Sequence, residues 1–325
     1  MAATTAGPSS GGARPAGHDT VRALLRTVDT KRRRRDRTMT VLMYVAFGVA
    51  VLPLVSLLWT VVSRGIGRFD VAFLTHSMRG VFGGMDAGGV YHAILGTVIV
   101  TLGAAIISVP IGVLAAIYLV EYGPGHRLAR AVTFFVDVMT GIPSIVAGLF
   151  AYALFVLFFG PGVHFGLMGS VALSVLMVPV VVRSTEEMLK LVPNELREAA
   201  YALGVPKWLT IVKVVLRTAV AGITTGIMLA VSRVVGETAP LLLTVGVADS
   251  INGNPFEGRM MTLPVYVYRQ FSSGLVPCNN PNVACIPTIN YDRAWSAALT
   301  LILIVMLLNL VARLVSRIFA PKLRG

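Results

Sequence analysis

Charge is scarce in this chain. Only 13% of its 325 residues are Asp, Glu, Lys or Arg, about half the ~25% usual in soluble domains. With 55% hydrophobic residues and a mean hydropathy of +0.78, that scarcity excludes a water-soluble globular domain and leaves a polytopic membrane protein. Acidic residues are the scarcest, 15 against 28 Lys and Arg, for a net charge of +13. The excess does not point to nucleic acid, because the basic residues sit in short segments beside apolar runs. Cysteine is nearly absent: Cys278 and Cys285 stand alone, with no CxxC and no His/Cys cluster, so no metal site is expected. A nucleotide-binding signature is also missing. Residues 80–89 are glycine-rich, but no Lys-Ser/Thr follows and no strand precedes, so the stretch reads as an external loop. No catalytic residues and no cofactor bound by this chain are expected. Nor is there an internal repeat of the kind that inverted-repeat transporters carry.

What is present is a series of apolar runs. Six are long enough to cross a ~30 Å hydrocarbon core: residues 39–62, 91–120, 131–159, 167–188, 216–236 and 295–319. The expected fold is therefore all-α with six transmembrane helices. Basic residues orient it. With the N-terminus in the cytoplasm, the inside segments collect Arg22, Arg26, the run Lys31 through Arg35, Arg197, Lys207, Arg313 and Arg317, while few basic residues fall outside. Both termini are then cytoplasmic. The first run is too long, and its leader too extended, for a cleaved signal. Residues 1–38 form a cytoplasmic tail, disordered over 1–18 and carrying an amphipathic helix on the inner leaflet around Val21, Leu24, Leu25 and Val28. The membrane-spanning body covers 39–319, with a cytoplasmic loop at 184–215 and an external segment at 245–293, followed by a short tail at 320–325.

Small residues recur every four positions at Ala104, Ser108, Gly112 and Ala116, and again at Gly222, Gly226 and Ala230. Such stripes either pack closely against another helix or border a cavity. Gly141-Ile142-Pro143-Ser144 should break the third span near its middle.

Asp137, Arg233 and Glu237 fall where water is scarce, and each needs a partner or a wet cavity. Arg233 and Glu237 are four apart, neighbours on one helix face, and share an arc of about 80° with the second stripe. A guanidinium suits an oxyanion, with Glu237 holding it in place; a plain buried ion pair accounts for the same residues. Asp137, one turn before the Gly-Ile-Pro break, can pair with a basic residue of another helix or cap the re-entering segment. Arg183, at the inner end of the fourth span, is a topology anchor or a second anion contact.

The 184–215 loop carries a charged helix expected over residues 195–203. Asn194 can cap it, Glu195 and Glu198 suit its positive end, and Gly204 with Pro206 stops it. Its apolar face, Leu196, Ala199, Ala200 and Leu203, fits a groove of another protein or merely links two spans. Cys278 and Cys285 lie outside, in a loop short enough for a disulfide, or remain two thiols.

Glu198-Ala199-Ala200, Gly204, Val214 and Leu216 resemble the EAA loop of ABC-importer permeases. Arg217 stands where many members have proline. Arg233-Val234-Val235-Gly236-Glu237-Thr238-Ala239-Pro240, Tyr201 through Trp208, and Ile142-Pro143-Ser144-Ile145-Val146 are similar to the A-type permeases of phosphate-specific ABC importers. The resemblance covers about residues 40–320. It implies the type I ABC importer permease fold in the bacterial plasma (inner) membrane. It also implies a heterodimer with a C-type permease, two copies of a cytoplasmic ATPase that holds ATP and Mg, and an external phosphate-binding protein. It places Arg233, Glu237 and Arg183 on the substrate path, and Glu198, Ala199, Ala200, Leu203 and Gly204 at the ATPase coupling. Residues 260–270, mixing aromatic and polar groups, are expected on the outer surface against the binding protein. A permease for sulfate or molybdate would share the EAA loop. A self-contained secondary transporter would need no ATPase, and a signalling subunit would want a larger cytoplasmic domain.

Overall fold

The computed structural model describes residues 30–278 and 284–319, and among these all regular structure is helical. The expectations for the 1–18 tail, the amphipathic helix near residues 21–28 and the 320–325 tail lie outside the described residues.

The chain divides into two units, residues 1–59 and 60–325. The first contains most of helix α1, Thr30–Gly65. It begins at Thr30 rather than residue 39, so the arginine run is helical and not part of an irregular tail. Thr38 and Thr40 satisfy their hydroxyls by donating to the Arg34 and Asp36 carbonyls one turn back.

The second unit begins with the end of α1 and α2, Val71–Thr75, whose N-terminus is capped by Asp70 accepting the Phe73 N–H at 2.6 Å. There follow α3, Tyr91–Ile117, extended by a π-turn over Tyr118–Tyr122; α4, Arg127–Thr140; α5, Ser144–Phe159; α6, Gly166–Lys190; and α7, Asn194–Ala202. Next is α8, Lys207–Thr210, which continues through a π-turn, Ile211–Val215, into α9, Leu216–Val235. The last three are α10, Ala239–Thr244; α11, Leu263–Ser273; and α12, Ile289–Phe319.

Among the described residues five helical segments are long and apolar enough to cross a bilayer, and the pair α4 and α5, bent by 109° at its break, makes a sixth if the two are counted as one span rather than as a re-entrant segment. The bend falls at Gly141-Ile142-Pro143, where proline cannot continue the backbone ladder. The two halves lie along successive parts of α6. Asp137 of α4 pairs with Arg183 toward the C-terminal end of α6, whereas Phe155 of α5 meets Phe165, the residue before α6, edge-to-face at 5.4 Å.

Helix α6 is the hub, with 67% of its apolar window buried against 28% for α3 and for α8–α9. Both small-residue stripes pack against it. Ala104, Ser108, Gly112 and Ala116 are all buried, and the Ser108 hydroxyl donates to the Ser174 carbonyl at 3.4 Å. Gly226 of α9 lies so close to α6 that a Cβ there would stand 2.6 Å from Ser184 Oγ. The second stripe is thus a packing seam rather than a cavity wall.

Beyond the start of α1, two boundaries and one surface assignment differ from expectation. The polar stretch Ser184-Thr185-Glu186-Glu187 stays helical in α6, because Thr185 and Glu186 are buried and Glu186 accepts from Arg183 at 2.9 Å and Lys190 at 2.7 Å. Helical structure resumes at Lys207 instead of residue 216, leaving a connection over 191–206 built around α7. Residues 260–266 are not on the outer surface: Met260, Met261, Leu263, Val265 and Tyr266 are at most 1% exposed. Burial among apolar neighbours pushes the Tyr266 phenol well above its ordinary range.

Candidate functional site

Arg233 sits in the last turn of α9, exposed, while Val234 and Val235 beside it are buried. The helix stops at Val235. Gly236 follows, the Glu237 N–H closes the turn on the Val234 carbonyl at 3.1 Å, and Pro240 opens the first turn of α10. Glu237 therefore lies beyond the helix, and the expected pairing of Arg233 and Glu237 on one helix face does not form. Among the described residues, neither side chain has an ion-pair or hydrogen-bond partner.

Helical geometry places Arg233 relative to its neighbours. At 100° per residue, Ala219, Ile223, Gly226, Ala230 and Val234 make the buried face of α9 that turns to α6. Thr225, Leu229 and Arg233 follow at four-residue spacing on one exposed flank. The other flank, with Ile227, Val231 and Val235, borders an apolar cleft of about 350 Å³ shared with α3 and α12. On α6, Ser174 and Val181 turn to α3, Ser184 and Met188 turn to α9, and Val180, Arg183 and Glu187 come next around the helix. Because Ser184 meets Gly226 with the two helices antiparallel, Arg183 and Arg233 emerge on the same side of the α6–α9 pair, the side turned from α3. Their separation along the axes is about 10 Å at 1.5 Å per residue.

The two arginines are electrostatically unlike. Arg183, one-third exposed, binds both Asp137 of α4 and Glu186 of its own helix. Those carboxylates hold its pose and offset its charge, and they supply the partner that Asp137 was expected to find on another helix. Arg233 has no carboxylate on its planar donor edge among the described residues.

The second feature is α7. Pro193, not Asn194, is its N-cap, and the Asn194 side chain instead accepts from Arg197 at 3.2 Å. The helix ends on Gly204 at φ +76°, with the Val205 N–H returned to the Ala200 carbonyl at 3.1 Å, a conformation that glycine adopts without a Cβ penalty. Of the expected docking residues only Ala200 is buried. Leu196, Glu198 and Ala199 are exposed, and Leu203 is 83% exposed.

Sequence reasoning missed how α7 is held. Arg197 bonds the Glu121 carboxylate from the π-turn of α3 and also donates to the Leu189 and Val192 carbonyls. Lys207 donates to the Glu121 carbonyl at 2.5 Å and stands 4.7 Å over the Tyr122 ring. The available signal was an acidic residue at the end of one span and basic residues in a later loop on the same side. At the other end of the bundle, Cys278 and Cys285 are joined by a disulfide.

Residues 108–325 match the family of binding-protein-dependent transport system inner membrane components. The chain is 46% identical over 293 residues to the phosphate transport system permease protein PstA 1 of Mycobacterium tuberculosis (strain ATCC 25618 / H37Rv), covering 90% of this chain and 91% of that one. It is 47% identical over 290 residues to PstA of Mycobacterium leprae (strain TN), covering 88% and 90%. With PstA of Yersinia pestis it shares 38% over 292 residues, covering 90% and 92%. Among solved structures, the inward-facing MetNI methionine ABC transporter superposes with a TM-score of 0.51 over 72% of this chain and 95% of that chain, at 20% identity. That last likeness is one of fold, the fold of an ABC importer permease.

Proposed function

The chain belongs to the family of binding-protein-dependent transport system inner membrane components, and on that premise we propose that it is the A-type transmembrane subunit of an ATP-driven phosphate importer. It is not an enzyme; the hydrolysis that powers transport resides on a partner ATPase, which holds ATP and Mg. The observation that carries the reading is Arg233. It is an arginine at the end of a membrane-crossing helix, without a partner among the described residues, on the same flank as Arg183. A charge so placed is costly unless it faces a wet path or a second subunit, and a C-type permease closing over this flank provides both.

In this reading the α7 end is cytoplasmic and the Cys278–Cys285 end faces the outside of a bacterial plasma (inner) membrane, with both termini inside. The inside density of basic residues supports that orientation, as does the disulfide, which suits an oxidising compartment. Glu198, Ala199, Ala200, Leu203 and Gly204 dock against one of two ATPase copies. An external binding protein delivers phosphate to the mouth. Closure of the ATPase pair moves α7, and through Arg197 and Lys207 it moves the ends of α3 and α8. Arg233 then replaces part of the hydration shell of the passing anion. Glu237, close in sequence but not bonded to Arg233, keeps the site from binding too tightly, and Arg183 meets the anion about 10 Å further in.

The test is ATP-dependent phosphate uptake by the reconstituted complex, wild type beside Arg233→Gln, with sulfate as competitor. Uptake abolished in an assembled mutant, and insensitive to sulfate in the wild type, is expected. Uptake retained in Arg233→Gln would return that residue to a structural role, and suppression by sulfate would move the substrate to another oxyanion.

A further inference from the structure

At the N-terminal end of α3, away from α7, a polar cavity of about 170 Å³ opens between α11, the start of α12 and the loop after α2. Arg293 lines it and is 2% exposed. Its Nη2 donates to the Met85 and Ala87 carbonyls, both at 2.8 Å, and Nη1 reaches the Asn290 side-chain oxygen at 3.5 Å. Its Nε is buried and donates to nothing described. Among the described residues no carboxylate pairs with this guanidinium. Asp86, on the same loop, pairs with Arg68 instead, and Asp249 of the cavity wall is taken by Arg269 at 2.6 Å. Gln270, 6% exposed, adds an amide with no hydrogen-bond partner among the described residues.

A buried guanidinium held only by carbonyl dipoles is a cation without a counter-charge, and that is costly unless an anion completes it. The lining charge is Arg293 plus Arg269 less Asp249, a net of one positive charge. We propose that this cavity is a binding site for one small oxyanion, inorganic phosphate, occupied before the anion reaches Arg233. The proposal rests on the permease reading above and on placing the disulfide end outside. The cavity has room for one tetrahedral anion. The Arg293 edge and the Gln270 amide supply donors, and the Arg269–Asp249 pair at the rim keeps a competing carboxylate near, which favours release.

The experiment is equilibrium binding of radiolabelled inorganic phosphate to the full complex in nanodiscs, without the binding protein, in an Arg233→Gln background that removes the Arg233 contact. Phosphate binding should persist there. Adding Gln270→Glu, which sets a carboxylate beside Arg293, should weaken it by about tenfold or more. Ser273→Asp, at the exposed rim, decides the matter if Gln270→Glu does not assemble. Binding absent in the Arg233→Gln complex would overturn the proposal, as would binding unchanged by the pocket variants. So would variants that weaken only capture of the binding protein, since the cavity would then be a protein-docking surface. Uptake by the wild-type complex separates the two readings. Uptake without pocket binding removes this site alone, whereas no phosphate uptake at all removes the permease reading.

Discussion

Arg197 donates from Nε and Nη2 to a single oxygen of Glu121, at 3.1 and 2.9 Å, and so ties the exposed helix α7 to the end of α3. Both side chains are well covered, 12% and 5% exposed. Arg197→Ala leaves a buried carboxylate without its ion-pair partner, a loss of about 3–5 kcal/mol. Glu121→Gln should cost less, because Arg197 keeps its bonds to the Leu189 and Val192 carbonyls. Thermal unfolding of the purified complex gives the order; a milder Arg197→Ala would mean that the pair does not anchor α7.

Asp137 tests whether Arg183 lies on the path. Two carboxylates on one arginine leave little positive potential for a passing anion. Removing one by Asp137→Asn should lower the KM for phosphate about three- to tenfold and lower kcat with it, as release slows. Uptake kinetics in proteoliposomes report both constants. An unchanged KM would place Arg183 among the structural charges.

Leu203 tests the docking surface. It is 83% exposed at the end of α7, so little of its side chain is covered by the described residues. Leu203→Glu should reduce co-purification of the ATPase by about tenfold or more, as expected when a charge enters the apolar centre of an interface. The two permease subunits should still co-purify. Retention of the ATPase would move the contact elsewhere on the 191–206 connection.

Gly226 tests the seam between α6 and α9. A Cβ there would stand 2.6 Å from Ser184 Oγ and 2.7 Å from its Cβ. Gly226→Val should destabilise the complex by about 1–3 kcal/mol through overpacking. Ser184→Gly in the same chain should recover part of the loss, since both obstructing atoms belong to that side chain. A melting temperature unmoved by Gly226→Val would show that the helices part there at no cost.

Hydropathy made the crossings legible, because a span needs only length and the absence of charge. The break at Gly141–Pro143 and the stop at Gly204 were legible too, since each rests on backbone chemistry of the residue itself. Helix ends inside polar stretches were not. Glu186 and Glu187 read as loop residues, yet Glu186 remains in α6 because Arg183 and Lys190 on its own helix answer its charge. Glu121 and Arg197 are 76 positions apart, so no local pattern could pair them. Residues 260–266 mix aromatic and polar groups much as a surface does, and only tertiary packing reveals their burial. The pairing of Arg233 with Glu237 presumed a helix running past Gly236, and one glycine voids it. The arginines themselves stood out at once, as cations among apolar neighbours.

The helix from Lys207 to Val235 has no break between the residue bonded to Glu121 and the turn that bears Arg233. It is in effect a continuous lever about 39 Å long from Lys207 to Arg233 at 1.5 Å per residue, with one π-turn near its start. A tilt of about 5° at its anchored end swings the far end by roughly 3 Å, the length of one hydrogen bond. Under the function proposed above, a small rotation at the α7 end is therefore enough to bring the guanidinium onto an anion or to carry it away. In that reading the continuity of this rod, more than the strength of any one contact along it, sets how faithfully a stroke would travel its length.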